Sequence, residues 1–212
     1  MSYKAVIFDL DGVICFTDKY HYQAWKKIAD KIGIHFDEKM NNRLRGVSRM
    51  ESLEIILENS EKEYSTKEKE ELAAQKNEIY KNLLQQMSPA DLSEEVKSTL
   101  DELRSRGYKL AIGSSSKNTK FILERLGLKD YFDAVSDGTN IIKSKPDPEV
   151  FLKASKFLHI VPSECLVVED AAAGIMAAKS GGFDSAGLGE AANGKEADYS
   201  LKSFRELLLV YK

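Results

Sequence analysis

The segment Lys4-Ala5-Val6-Ile7-Phe8-Asp9-Leu10-Asp11-Gly12-Val13 constrains the fold more than any other part of the chain. Its short apolar run, rich in β-branched and aromatic residues and closed by glycine, reads as a buried strand. Alternation along a strand puts Asp9 and Asp11 on one side and Leu10 on the other. Two carboxylates at the end of a buried strand are costly unless their charge is offset. A divalent cation would offset it, as would use of one carboxylate as a nucleophile and the other as a proton carrier. The plainer alternative is a solvated strand end on which two acids happen to fall.

From about Asp18 to Gln86 the sequence is charged, amphipathic and poor in strand signals. Asp18 is expected to cap a helix running to Gly33, with Trp25, Ile28 and Ile32 on its apolar face. Ser48 is expected to cap a second, carrying Leu53, Ile56 and Leu57, and Ser65 or Thr66 begins a long third with Leu72, Ile79 and Leu83. These form a small helical bundle inserted after the first strand and ended by Ser88-Pro89-Ala90. Beyond it helix and strand alternate: helix 91–106, strand 108–113, helix 118–126, a strand near 132–136, then Lys143-Ser144-Lys145-Pro146-Asp147-Pro148 and a helix to about Leu158, strand 165–168, helix 171–180, strand 183–188, a weak strand near 197–201 and a helix from Ser203. That alternation predicts an α/β fold, a Rossmann-like parallel sheet with right-handed crossovers and helices on both faces, plus the inserted α-helical cap. The expected division is a core of residues 1–15 and 88–212 and a cap of residues 16–87.

At 212 residues the chain is long enough to bury a real core. A net charge of −3 gives no electrostatic case for nucleic acid or an anionic membrane surface. No apolar run approaches the roughly 18 residues of a membrane span. Tyr3-Lys4 leads straight into a core strand and leaves no room for a signal peptide, so a cytoplasmic protein is expected. Cys15 and Cys165 match no metal-ligand spacing and read as reduced structural thiols. No large exposed apolar face is evident, and a monomer is expected.

In parallel sheets ligands sit at the carboxyl ends of the strands. The unusual polar residues recur there: Asp9 and Asp11, then Ser114-Ser115-Ser116, then Lys145, then Glu169-Asp170. Taken singly each has a plain reading, as a helix cap, an ordinary turn before Pro146, or a cap for the helix at 171. Together they form an all-oxygen set with one lysine, which suits Mg²⁺ rather than Zn²⁺ and a phosphoryl group as the ligand. An aspartate can attack phosphorus and hold it covalently, while a second carboxylate two residues on moves the proton of the alcohol.

Asp9-Leu10-Asp11-Gly12-Val13, Ser114, Lys145-Pro146 and Val168-Glu169-Asp170 with Ala173-Gly174-Ile175 occur in the order found in the haloacid dehalogenase-like superfamily, which the whole chain resembles. Tyr20-His21, Ala24-Trp25, Gly46-Val47-Ser48-Arg49, Lys76-Asn77 and Ser114 to Asn118 are similar to its β-phosphoglucomutase group. The resemblance implies that Asp9 is a nucleophile forming an aspartyl phosphate, and that Asp11 is the general acid and base, its backbone carbonyl helping to bind Mg²⁺. It further implies that Glu169 and Asp170 complete the metal site, and that Ser114 and Lys145 hold the transferred phosphoryl group. Arg49, Ser116, Lys117 and Asn118 would bind the substrate's other phosphate, within a substrate-binding set that adds Trp25, Gly46, Val47, Ser48, Ser52 and Ser115. Thr17, His21 and Lys76 would couple cap closure, about hinges near 16–18 and 86–89, to the position of Asp11. The implied reaction interconverts β-glucose 1-phosphate and glucose 6-phosphate, with glucose 1,6-bisphosphate as intermediate and activator.

Two of these residues also stand out by position. His21 is in line with Trp25, Ile28 and Ile32 on the apolar face. Lys76 lies between Leu72 and Ile79 on another apolar stripe, where a lysine is expected to snorkel or be paired. Phe16, Ala171 and Asp147 depart from the family pattern, with Asp and Ser common at the first two. The alternatives are a phosphatase using the same residues with water as acceptor, and a phospho-accepting signalling domain. The latter needs only roughly 120 residues and gives the cap no purpose.

Overall fold

A computed structural model describes residues 3–44 and 47–211. Among the described residues six strands form one all-parallel sheet in the order β3-β2-β1-β4-β5-β6: β1 Ala5–Phe8, β2 Lys109–Gly113, β3 Ala134–Ser136, β4 Cys165–Glu169, β5 Asp184–Gly187 and β6 Tyr199–Ser200. The order runs outward from β1 through β2 and β3, then restarts on the other side at β4. The β1–β4 junction is therefore the topological switch point, where such sheets bind ligands.

The four residues of β1 are all buried because both faces of the sheet are covered. Val6 and Phe8 pack with Leu110, Ile112, Leu166 and Val168 under α5 (Glu94–Ser105) and α6 (Thr119–Arg125). Ala5 and Ile7 pack on the opposite face under α7 (Glu149–Leu158) and α8 (Ala172–Ser180), through Val150, Phe151, Ala177 and Ala178. Phe8 is level with Ile112 on one side and Val168 on the other, so the residues that follow β1 and β4 emerge side by side.

Between β1 and β2 lie α1 (Asp18–Lys31), α2 (Glu38–Asn42), α3 (Arg49–Leu57) and α4 (Thr66–Leu84). They share an apolar cluster including Trp25, Ile28, Phe36, Leu53, Ile56 and Leu72. Ser48 and Ser65 cap α3 and α4 as expected, each in a reciprocal capping box, with Glu51 and Glu68 respectively.

Several boundaries differ from the sequence expectation. Asp18 is the first residue of α1, not its cap. Thr17 holds the cap position without a capping hydrogen bond, because its hydroxyl is bonded to Asp11 and Tyr80. Helix α1 stops at Lys31, before Gly33, whose φ is +74°. Helix α5 starts at Glu94 behind Ser93, since Pro89 opens a separate 3-10 turn (Pro89–Asp91) and Leu92 is extended. The helix expected from Ser203 is a 3-10 turn (Phe204–Glu206) leading into α10 (Leu207–Val210), and two five-residue helices, α2 and α9 (Gly189–Asn193), were not foreseen.

Candidate active site

Asp9, directly after β1, is fixed by its backbone N–H to the Val168 carbonyl at 2.9 Å. Its carboxylate and those of Glu169 and Asp170 each offer an oxygen within 4.8 Å of the others. Lys145 Nζ donates to Asp9 Oδ1 and Glu169 Oε1 at 2.5 Å each, with all three residues buried. The other oxygen of Glu169 accepts the N–H groups of Asp170 and Ala171 at 3.0 and 3.1 Å, so Glu169 fixes both the lysine and the turn into α8.

Two glycines make this crowding possible. A Cβ on Gly174 would lie 1.9 Å from the Glu169 carboxyl carbon, and one on Gly12, at φ +92°, 2.1 Å from Asp170 Oδ2. Ala171 is the N-cap of α8 and has no side chain to cap with, while Asp170 is spent on the acidic group; the reading of Glu169-Asp170 as a helix cap fails for that reason. Asp147, the extra acid beside Pro146, is not part of the group. It accepts from the Glu149 N–H at the start of α7 and lies 3.5 Å from Lys143 Nζ.

Three carboxylates against one ammonium leave two negative charges in excess. Burial, reinforced by Glu169 and Asp170, pushes the Asp9 carboxyl well above the usual range despite Lys145. Burial and Glu169 push Asp170 up to about 7. Burial opposes the charge of Lys145, but Asp9 and Glu169 outweigh it and keep the lysine protonated. An all-oxygen, partly buried set with this excess of charge fits Mg²⁺.

Asp11 is turned away from this group. Its two oxygens accept from Thr17 N and Oγ1, both at 2.6 Å, and Thr17 Oγ1 is 2.8 Å from Tyr80 OH on α4. Both Asp11 side-chain oxygens are thus engaged by Thr17. His21 Nε2 lies 3.8 Å from Asp11 Oδ2, its Nδ1 is 2.8 Å from Lys76 Nζ, and its ring stacks on Tyr80 at 4.1 Å between centroids. Burial, with Lys76 and Arg49 nearby, holds His21 well below its usual pKa, so the neutral ring accepts from Lys76.

Lys76 is only 2% exposed. It does not snorkel, and among the described residues no carboxylate pairs with it directly; its Nζ sits 5.0 and 4.5 Å from the Trp25 and Tyr80 ring centres. Burial, aided by Arg49, lowers it to about 7. The unfolded chain then holds this proton up to about pH 10.5 and the folded chain only to about 7. Stability on this account rises with pH between those values and bears the full penalty below 7. Lys76→Met is expected to raise stability by on the order of a few kcal/mol at pH 6.5, at roughly 1.4 kcal/mol per pKa unit, with the gain shrinking towards pH 10. Urea unfolding at the two pH values checks this, and an equal gain at both would contradict it.

Beyond β2, Ser114 is buried and its Oγ accepts the Ser116 N–H at 3.2 Å. Ser115 Oγ is buried with no partner among the described residues, and Lys117 is exposed. Asn118 Nδ2 crosses to Asn77 Oδ1 on α4 at 3.0 Å. Arg49 lines an open cavity of about 530 Å³ with Ala74, Gln75, Asn77, Glu78 and Ile79. Burial lowers its pKa, and it has no hydrogen-bond or ion-pair partner among the described residues. Val47 and Ser48 are half-buried beside it in sequence, with Ser48 Oγ engaged by Glu51 N. Ser52 and Trp25 are buried, Trp25 within the apolar cluster of the helices and touching this polar group through Lys76. Gly46 lies outside the described residues. Phe16, next to Thr17, is 70% exposed.

Asn77 and Tyr80 were not singled out from the sequence as site residues. Tyr80, four residues after Lys76 on the same stripe, is within reach of periodicity; Asn77 belongs to the Lys76-Asn77 match, but its role is not readable from spacing because its partner is 41 residues away.

The haloacid dehalogenase-like hydrolase family model matches residues 3–182. A β-phosphoglucomutase of Bacillus subtilis is 44% identical over 208 residues, covering 97% of this chain and 92% of that protein. A phosphorylated carbohydrates phosphatase of Thermotoga maritima is 33% identical, covering 85% of this chain and 82% of that one. The crystal structure of a β-phosphoglucomutase from Clostridium difficile superposes with a TM-score of 0.91 at 41% identity, covering 99% of this chain and 95% of that one. Motif order, sheet topology and these matches agree, and the chain belongs to the haloacid dehalogenase-like hydrolase family.

Proposed function

We propose that this protein interconverts β-glucose 1-phosphate and glucose 6-phosphate, as a single chain in the cytoplasm, with residues 16–87 serving as a cap over the core of residues 1–15 and 88–212. The observation that carries the reading is the separation of two anion sites. Asp9 and Lys145 stand at the sheet edge, and a second cation, Arg49, with no hydrogen-bond or ion-pair partner among the described residues, stands in a cavity between α3 and α4. A phosphatase needs the first site; a mutase, which must bind a bisphosphate in either direction, needs both.

In this reading Asp9 carries a phosphoryl group. The 6-hydroxyl of β-glucose 1-phosphate attacks its phosphorus, the bond to the Asp9 oxygen breaks, and Asp11 takes the hydroxyl proton. The resulting glucose 1,6-bisphosphate rebinds in the opposite sense, and Asp9 attacks the phosphorus at C1. Asp11 returns its proton to the departing O1, and glucose 6-phosphate leaves with Asp9 phosphorylated again. Ser114 and Lys145 steady the phosphoryl oxygens. Mg²⁺, for which Asp9, Asp170, Glu169 and the Asp11 carbonyl are the available donors, would supply charge neutralisation at the phosphoryl group. Asp11 must leave Thr17 to act, and the approach of His21 and Lys76 to it from α1 and α4 ties that release to cap closure.

A coupled assay of the β and α anomers of glucose 1-phosphate with trace bisphosphate tests the reading. Conversion of the β anomer alone is expected, and release of inorganic phosphate alone would favour the phosphatase. Arg49→Ala is expected to reduce mutase turnover at least about tenfold more than hydrolysis of a small aryl phosphate, the scale of a lost hydrogen-bonded charge contact. Equal losses would argue against a second phosphate at Arg49.

A further inference from the structure

Asn118 occupies the N-cap position of α6, where an asparagine side chain ordinarily accepts a backbone N–H of its own helix. It makes no such bond. Its amide instead crosses from the core to α4 and donates to Asn77 Oδ1 at 3.0 Å, while its backbone N–H is taken by Ser116 Oγ at 3.2 Å. Asn118 is 9% exposed, so its amide has little access to water. A favourable local cap has been given up for a bond across the two parts of the molecule.

That bond fixes which end of the amide does what. An amide presents either its oxygen, which repels a phosphate, or its NH₂, which binds one. With one N–H on Asn77 Oδ1, the second N–H of the same nitrogen has no protein acceptor among the described residues. Asn77 also lines the cavity that holds Arg49, which has no hydrogen-bond or ion-pair partner among the described residues. Asn77 therefore joins the core donor to the wall of the cavity that holds Arg49.

We propose that Asn77 is a positioning residue for the second phosphate: by accepting from Asn118 it presents that amide's free N–H to a phosphate monoester bound in the cavity that Asn77 lines together with Arg49. This rests on the proposed function in that the ligand is the substrate's non-transferred phosphate. Preorganising a donor in this way lowers the cost of binding rather than the chemical barrier.

The test is a double-mutant cycle on the full chain with Asn77→Ala, Asn118→Ala and both together, measuring kcat and KM for β-glucose 1-phosphate with bisphosphate present. Asn77→Ala is expected to raise KM about tenfold with a smaller change in kcat, the scale of weakening one hydrogen bond to a charged group. The double variant is expected to be no worse in KM than Asn118→Ala alone, since Asn77 acts through Asn118. Additive losses, or a fall in kcat without a rise in KM, would overturn the proposal. Asn77→Asp keeps the size and the accepting oxygen, and guards against misfolding of the alanine variant. At high salt, where its charge is screened, it is expected to bring KM back towards that of the parent, and a KM there as poor as that of Asn77→Ala would overturn the proposal. If the parent enzyme does not convert β-glucose 1-phosphate, the proposed function fails by itself. The positioning role is then read from glucose 6-phosphate binding by calorimetry, where the same non-additive pattern is expected and an additive one refutes it.

Discussion

Alanine at position 9 is expected to leave no measurable turnover of sugar phosphate. Asp9 is the carboxylate that Lys145 holds at 2.5 Å at the β1–β4 switch point. Glu169 has one oxygen on Lys145 and the other on two backbone N–H groups, and Asp11 is bound to Thr17. The same substitution is expected not to unfold the protein. It reduces three clustered carboxylates to two while Lys145 keeps Glu169, so an uncompensated buried charge is removed rather than created. Inactivity with a melting temperature at or above that of the parent is the expected pair of results. Appreciable residual mutase activity would refute Asp9 as the nucleophile.

Asparagine at position 11 is expected to slow sugar phosphate turnover by about 10²-fold or more, the usual scale for a lost general acid and base. The amide is nearly isosteric and can still accept from the Thr17 N–H, so the turn should survive. Phosphorylation of Asp9 by an aryl phosphate is expected to suffer less, because its leaving group departs without needing a proton. Equal losses on the two substrates would remove Asp11 from the proton-transfer role and leave it a structural part of the turn.

The legible parts of this chain are those decided locally or by chain-wide alternation. The strand at Ala5–Phe8, the parallel sheet and the capping boxes at Ser48 and Ser65 depend on neighbours in sequence, and they form where expected. The helix starts that differ are mainly those beside the site. Thr17 cannot cap α1 because Asp11 and Tyr80 occupy its hydroxyl, Asn118 makes no cap to α6 while its amide nitrogen donates across to Asn77, and Asp170 does not cap α8 because it belongs to the acidic group. In each case a tertiary bond displaces a local one, and the displaced residue lies at the site. Conflict between local preference and fold thus coincides with the candidate site.

Other features needed three dimensions. Lys145 lies nine positions beyond β3, yet its ammonium reaches both β1 and β4. Gly174 reads in sequence as a helix weakener; only the 1.9 Å between its absent Cβ and Glu169 shows why a side chain is excluded there. Lys76 looked like a residue that would reach water or an acid. Its burial between two rings and against a neutral histidine depends on α1 and α4 packing together, which hydrophobic spacing suggests but cannot orient.

The most direct measurement of the central claim is rapid quench of the enzyme with Mg²⁺ and glucose 1,6-bisphosphate, followed by proteolysis and mass spectrometry of the peptides. One acid-stable, base-labile phosphoryl group on Asp9 is the expected result, absent from the Asp9→Ala variant. A phosphoryl group on any other residue, or turnover with no covalent phosphate at any quench time, would contradict it.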